Sequence, residues 1–133
     1  MKNNLFIVVL LVGVFSTTTI LAQQNNKAEE FASFFEKFNN NRTFQMSRIY
    51  FPLTVKLNND DFELVDYIII KEKYTPINLN KNKEERDYNQ QTILKKDAVI
   101  IQQRGLNNGI FIDYIFEKRK GLWFLKTWID KST

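Results

Sequence analysis

An α+β domain, with helices on one face of a curved antiparallel sheet, is what this sequence predicts. Three observations lead there. Phenylalanines recur at helical spacing near residue 31, alternating strands fill the last third of the chain, and no cysteine is available to staple a smaller, looser fold.

The first residues carry a different signal. Lys2 is followed by an unbroken apolar stretch from Leu5 to Phe15, then by Ser16-Thr17-Thr18-Thr19 and Ile20-Leu21-Ala22. This is the charged, apolar and small-residue order of a secretory signal, with cleavage expected after Ala22. A membrane anchor is the alternative, but a spanning helix needs about 20 apolar residues and this stretch is far shorter. Residues 1–22 are therefore read as a signal peptide and 23–133 as one α+β domain. The mature protein is expected to be exported, periplasmic or extracellular. With no cysteine at the cleavage point it is not lipid-anchored, and after cleavage it has no stable membrane insertion.

From Lys27 the pattern turns helical. Phe31, Phe34, Phe35 and Phe38 fall on one stripe, Asn25 or Asn26 can cap the start, and Glu29 and Glu30 suit the positive end of the dipole. Asn39-Asn40-Asn41 stops the helix. Phe44 to Ile49 makes a second short helical turn. Phe51, Leu53, Val55 and Leu57 alternate as a strand, which Pro52 confines to an edge or to its own first residue. Asn58 to Asp61 is a turn, and Phe62 to Tyr74 reads as a long strand. Residues 75–92 are polar and weakly patterned, with Asn80 to Asp87 expected as a loop. Strands at Ala98 to Arg104, Ile110 to Lys118 and Leu122 to Asp130 follow, joined by turns at Gly105 to Gly109 and Lys120-Gly121. Such short connections imply antiparallel pairing.

Alternation divides the last strands into two faces, and neither is wholly polar. Phe111, Ile115, Phe124 and Trp128 are assigned to the face away from the helices, mixed with charge. A patch of that kind suits an interface, so a homodimer through this sheet face is expected.

Missing residue types exclude much chemistry. The chain holds no histidine and no cysteine. Serine and cysteine hydrolase machinery, thiolate nucleophiles and the usual zinc, copper and haem ligands are therefore absent. No glycine-rich phosphate loop is present, so no cofactor and no metal are expected. Asp60-Asp61 and Glu84-Glu85 sit in polar, turn-like stretches and read as solvated charge. Asp113 and Tyr114, the best acid–base pair on offer, point to opposite faces of one strand. No catalytic residue is assigned. The formal net charge of +4 is mild and spread along the chain, without the basic stripe that nucleic acid requires.

The spacing Phe31-x-x-Phe34-x-x-x-Phe38, the stretch Phe44-Gln45-x-Ser47-Arg48-Ile49-x-Phe51-Pro52-Leu53, Tyr114-x-Phe116 and Gly121-x-Trp123-x-Leu125 together resemble a family of exported Bacteroidetes proteins of unknown function. That family looks like part of the nuclear transport factor 2-like superfamily, also described as cystatin-like. The resemblance implies a cone-shaped fold, helices closing over a strongly bent antiparallel sheet, with a pocket between the two and dimerisation through the sheet. Members with enzymatic activity commonly place histidine and aspartate in that pocket, and this chain has no histidine. The expected role is a non-catalytic binding or interaction module of the cell envelope. A small apolar ligand would be lined by Tyr67, Gln103 and Tyr114, with Arg48 near the mouth as an anion anchor. An enzyme using carboxylate and tyrosine is the third reading.

Overall fold

The structure, a computed structural model, describes residues 27–133. The expected signal segment and the capping residues Asn25 and Asn26 lie outside the described residues. Two helices, α1 (Phe31–Asn40) and α2 (Arg42–Ser47), precede six strands: β1 (Leu53–Asn58), β2 (Leu64–Ile69), β3 (Tyr88–Leu94), β4 (Ala98–Gly105), β5 (Phe111–Arg119) and β6 (Leu122–Asp130). The strands form one curved sheet in the order β2-β1-β6-β5-β4-β3. Every neighbouring pair is antiparallel except β1 and β6, which run parallel where Lys56 and Leu57 meet Ile129 and Asp130. The helices lie on one face, called concave below. Among the described residues no helix is long and apolar enough to cross a membrane.

The phenylalanine stripe builds the core. Phe34 and Phe38 are fully buried, and Phe31 and Phe35 flank them. Phe116, on the central strand β5, meets four of these rings edge-on, at centroid distances of 5.5 Å (Phe31), 5.7 Å (Phe34), 6.2 Å (Phe35) and 5.3 Å (Phe38). Edge-to-face contact is the arrangement that aromatic quadrupoles favour. Val99, Ile101, Leu53, Val55 and Leu125 complete the sheet side of this core.

Asn39 and Asn41 divide the labour at the end of α1. Asn41 leaves helical geometry and its Oδ1 accepts from the Phe44 N–H at 2.9 Å, capping α2. Asn39 donates to the Phe35 carbonyl (2.7 Å) and accepts from the Leu79 N–H (2.6 Å), tying the helix to the long segment between β2 and β3. That segment, residues 70–87, carries the chain from one edge of the sheet to the other.

Four expectations are corrected. First, α1 begins at Phe31 rather than at Lys27, because Glu29 has stronger tertiary partners: its N–H reaches the Gly121 carbonyl at 2.9 Å and its carboxylate holds Arg48. Second, the strand expected over Phe62 to Tyr74 is only Leu64–Ile69, after which Lys71–Lys73 forms a 3₁₀ turn. Third, the polar, weakly patterned stretch 75–92 runs into an unexpected strand, β3, which starts just after the Asn80 to Asp87 loop and pairs with β4 from Tyr88↔Gly105 to Leu94↔Val99.

The fourth correction concerns Trp128. Ile115 faces Thr127 while Phe116 faces Leu125, so Lys126 is an extra residue on β6. This bulge shifts the alternation by one. Trp123 and Leu125 point to the concave face, and beyond Lys126 so does Trp128, opposite Tyr114. Trp128 is therefore not on the outer face with Phe111, Ile115 and Phe124. Pro52, as one of its two readings allowed, precedes β1, which is an inner strand. The turn between β5 and β6 is two residues with positive φ, Lys120 (48°) and Gly121 (79°), the backbone that tight hairpins require.

Candidate functional site: a cavity at the β2 end of the concave face

A cavity of about 360 Å³ opens between the end of β2, the segment after it and Trp128 of β6. Its walls are Tyr67, Ile69, Ile70, Tyr74, Ile77 and Trp128, with Lys73 and Thr75 as polar members. The size and mainly apolar lining are those of a small-molecule site. Trp128 stands at the inner wall because of the Lys126 bulge, and Tyr114 packs on it with ring centroids 5.9 Å apart.

One buried side chain fixes the outer wall. Gln45, in α2, is 2 % exposed, and all of its hydrogen-bonding capacity is used. Its Nε2 donates to the carbonyls of Phe38 (2.8 Å) and Ile77 (2.9 Å), and its Oε1 accepts from the Tyr74 hydroxyl (2.8 Å) and the Ile77 N–H (3.0 Å). The Phe38 carbonyl is one that the end of α1 leaves open, so this amide caps a helix and anchors the cavity wall at once. Burial pushes the Tyr74 hydroxyl well above the ordinary tyrosine value, which the Ile77 backbone contact offsets only in part. Burial likewise pushes Tyr114 up to about 12, reinforced by Asp130 and Tyr88. Both phenols are protonated donors at neutral pH. Among the described residues no group accepts a hydrogen bond from the Tyr114 hydroxyl or the Trp128 indole N–H, which leaves two donors on this face free.

The four residues expected at a binding site separate. Tyr67 lines the cavity and Tyr114 backs it through Trp128. Gln103 is also on the concave face but sits nearer β3: its Nε2 donates to Gln90 Oε1 (3.0 Å), and Gln90 Nε2 donates to the Leu79 carbonyl (2.7 Å). It holds the crossing segment to the sheet. Arg48 does not line the cavity. Its guanidinium forms a two-pronged bond to Glu29 (2.7 and 3.1 Å), donates to the Trp123 carbonyl (3.1 Å), and lies over the Phe44 ring at 4.5 Å. Glu29 Oε2 also accepts from the Trp123 N–H at 2.9 Å. Trp128, which lines the cavity, was misplaced, and the lining residues Ile69, Ile70, Lys73, Tyr74 and Ile77 were missed, as was Gln45 behind them. For Gln45 the available signal was an amide between Phe44 and Met46.

The Glu29–Arg48 pair gives a pH signature. Burial would raise the Glu29 carboxyl, but the Arg48 and Trp123 hydrogen bonds and the charges of Arg48 and Lys37 outweigh it, so its pKa lies below the ordinary 4.5. A depressed carboxylate adds stability that is complete above about pH 4.5 and is lost as pH falls through the folded-state value. Urea midpoints taken between pH 6 and pH 3 should fall less steeply for Glu29→Gln than for the wild type; parallel curves would remove the pair from the account.

On the outer face, Phe111, Ile115 and Phe124 do lie together, among ion pairs. Arg104 bonds Asp113 at 2.8 Å and lies 3.6 Å over the Phe111 ring; Glu117 takes Arg119 and Lys126; Tyr50 stacks on Phe124 at 4.7 Å. Asp113 is thus on the outer face and Tyr114 on the concave one, so they cannot share a reacting group. Among the described residues no cluster of three potential metal ligands occurs.

Comparison with known proteins agrees with this architecture. No curated protein matches the chain. Among solved structures, a nuclear transport factor 2-like protein from Bacteroides fragilis aligns with a TM-score of 0.59 and 20 % identity, over 83 % of this chain and 50 % of that one. The chain thus spans half the length of that protein. A cystatin-like protein from Bacteroides caccae aligns at 0.57 and 24 % identity, over 77 % of this chain and 76 % of that one. A protein from Bacteroides uniformis aligns at 0.54 and 20 % identity, over 75 % of each chain. At these identities the likeness establishes the fold and nothing finer. Residues 9–130 match the model of a domain of unknown function, DUF4348, and the chain belongs to that family.

Proposed function

We propose that this protein is an exported, non-catalytic binding module of the cell envelope that holds a small, largely apolar ligand in the Trp128 cavity. The observation that carries this reading is the cavity itself: about 360 Å³, walled by aromatic and aliphatic side chains, with Lys73 among its few polar groups. Its wall is fixed by a fully satisfied Gln45, so the space is pre-formed, and pre-formed sites cost less to fill. The Trp128 indole gives a ligand an orientation without giving it chemistry. The strand carboxylates Asp113 and Glu117 are bound in ion pairs on the other face. Export is supported by the Lys2, Leu5–Phe15, Ala22 pattern.

Native mass spectrometry of the protein recovered from its host's envelope tests both parts. The expected chain begins at Gln23 and carries an adduct that denaturation removes and that Trp128→Ala lacks. A chain still beginning at Met1 in the cytosol would overturn export. An adduct unaffected by Trp128→Ala, or none at all, would overturn the cavity reading.

A further inference from the structure

The edge strand β2 is the most exposed apolar element of the fold. Leu64, Val65, Tyr67 and Ile68 are all exposed, Ile68 by 62 %, and Ile70 follows at 47 %. These side chains belong to both faces of the sheet. Val65 and Tyr67 share the concave face with Leu57 and Val55, while Leu64 and Ile68 share the outer face with Asn58 and Thr54. A globular partner resting on one face would leave the other bare. A strand added in the plane of the sheet continues both, and it also satisfies the unpaired backbone groups of the edge.

Charge identifies which strand. The approach to β2 is acidic, with Asp60, Asp61 and Glu63, and the exit is net basic, with Lys71 and Lys73 on either side of Glu72. An antiparallel copy of the same strand brings each acidic end beside the partner's basic end; a parallel copy would set like against like. Register narrows this further. Centred on Tyr67, the pairing sets Val65 against Ile69 of the second copy, and brings the Asn59–Glu63 turn toward the partner's Lys71–Lys73 turn. Centred on Asp66 it would oppose two carboxylates, and each Asp66 is already held by Lys56 at 2.6 Å. A two-fold axis through Tyr67, perpendicular to the sheet, keeps concave face next to concave face, as an isologous dimer requires.

We infer that two copies of this chain join β2 to β2 in antiparallel fashion, centred on Tyr67, into one continuous twelve-stranded sheet. The two Trp128 cavities then open side by side along the seam, since Tyr67 and Ile68 to Ile70 line the cavity as well as the edge. The inference goes beyond the ligand-binding reading and does not need a ligand to be present.

Sedimentation of the mature protein over a range of concentrations tests it, with circular dichroism to verify that each variant is folded. The expected species is a dimer whose dissociation constant rises about a hundredfold or more in Ile68→Lys, which places a charge at the seam. Lys71→Glu with Lys73→Glu should weaken the dimer, and adding Asp61→Lys and Glu63→Lys to the same chain should restore it. Because the sequence holds no cysteine, Tyr67→Cys should give a single disulfide-linked dimer on mild oxidation. A monomer at all concentrations would overturn the inference. So would a dimer indifferent to Ile68→Lys but abolished by Ile115→Lys, which would move the contact to the outer face.

Discussion

Replacing Gln45 by leucine is expected to cost about 4 kcal/mol of stability, as a buried donor or acceptor left without a partner costs about 1–3 kcal/mol and four partners are stranded at once. They are the Tyr74 hydroxyl, the Ile77 N–H, and the carbonyls of Phe38 and Ile77. The four do not lie in one element, so no single shift re-pairs them. A domain of this size has about 5–15 kcal/mol in total, so the variant should lose between about a quarter and most of its stability. Urea denaturation followed by tyrosine and tryptophan fluorescence measures it. Tyr74→Phe in the same background should recover about 1 kcal/mol or more, because it removes one of the stranded groups. If Gln45→Leu melts like the wild type, the amide is not the anchor described above.

Phe116→Ala should be nearly as damaging, at about 3–5 kcal/mol. The cost has two parts. Buried ring surface is lost, and a cavity opens that the neighbours cannot fill, since Phe34 and Phe38 are held by α1 while Val99 and Leu125 are held by the sheet. The edge-on contacts with four helix rings are lost within that total. Phe116→Leu keeps most of the volume and should lose roughly half as much. A thermal shift for Phe116→Ala no larger than that of an exposed control such as Phe62→Ala would contradict the central position of this ring.

The fold was largely legible in the sequence, for physical reasons that differ by element. The α1 stripe is visible because four large apolar side chains at helical spacing admit one burial solution. Strands β4, β5 and β6 are visible because tight turns separate regular alternation. Strand β3 was not. Its residues Tyr88 to Leu94 include Asn89, Gln90 and Gln91, and their strand geometry is enforced by β4 and by the Gln103–Gln90–Leu79 relay rather than by any local preference. The start of α1 misled for a similar reason. Glu29 carries a good first-turn residue's charge but has a better partner in Arg48, far away in sequence.

The site was legible only in part. Tyr67 and Tyr114 were found through their faces, which alternation reports well. Trp128 was misplaced because a bulge of one residue inverts alternation and leaves no compositional mark; Lys126 is an ordinary residue for a strand. Arg48 was expected to wait for an anion, whereas Glu29, which a helical reading had set in the first turn of α1, already supplies one. Gln45 was overlooked since an amide's value depends on what surrounds it in space, and its partners lie far along the chain, at Tyr74 and Ile77, with one, the Phe38 carbonyl, in the preceding helix.

The parallel join between β1 and β6 has a consequence for how the chain comes to be folded. Inside the sheet its earliest strand, β1, is joined to its latest, β6, so no contiguous half of the sequence contains a finished sheet. A chain emerging from its N-terminus holds β1 and β2 as a lone hairpin, which has no independent stability, until residues near 129 arrive to seat it. The β1–β2 hairpin therefore gains its place in the sheet only once β6 has been made.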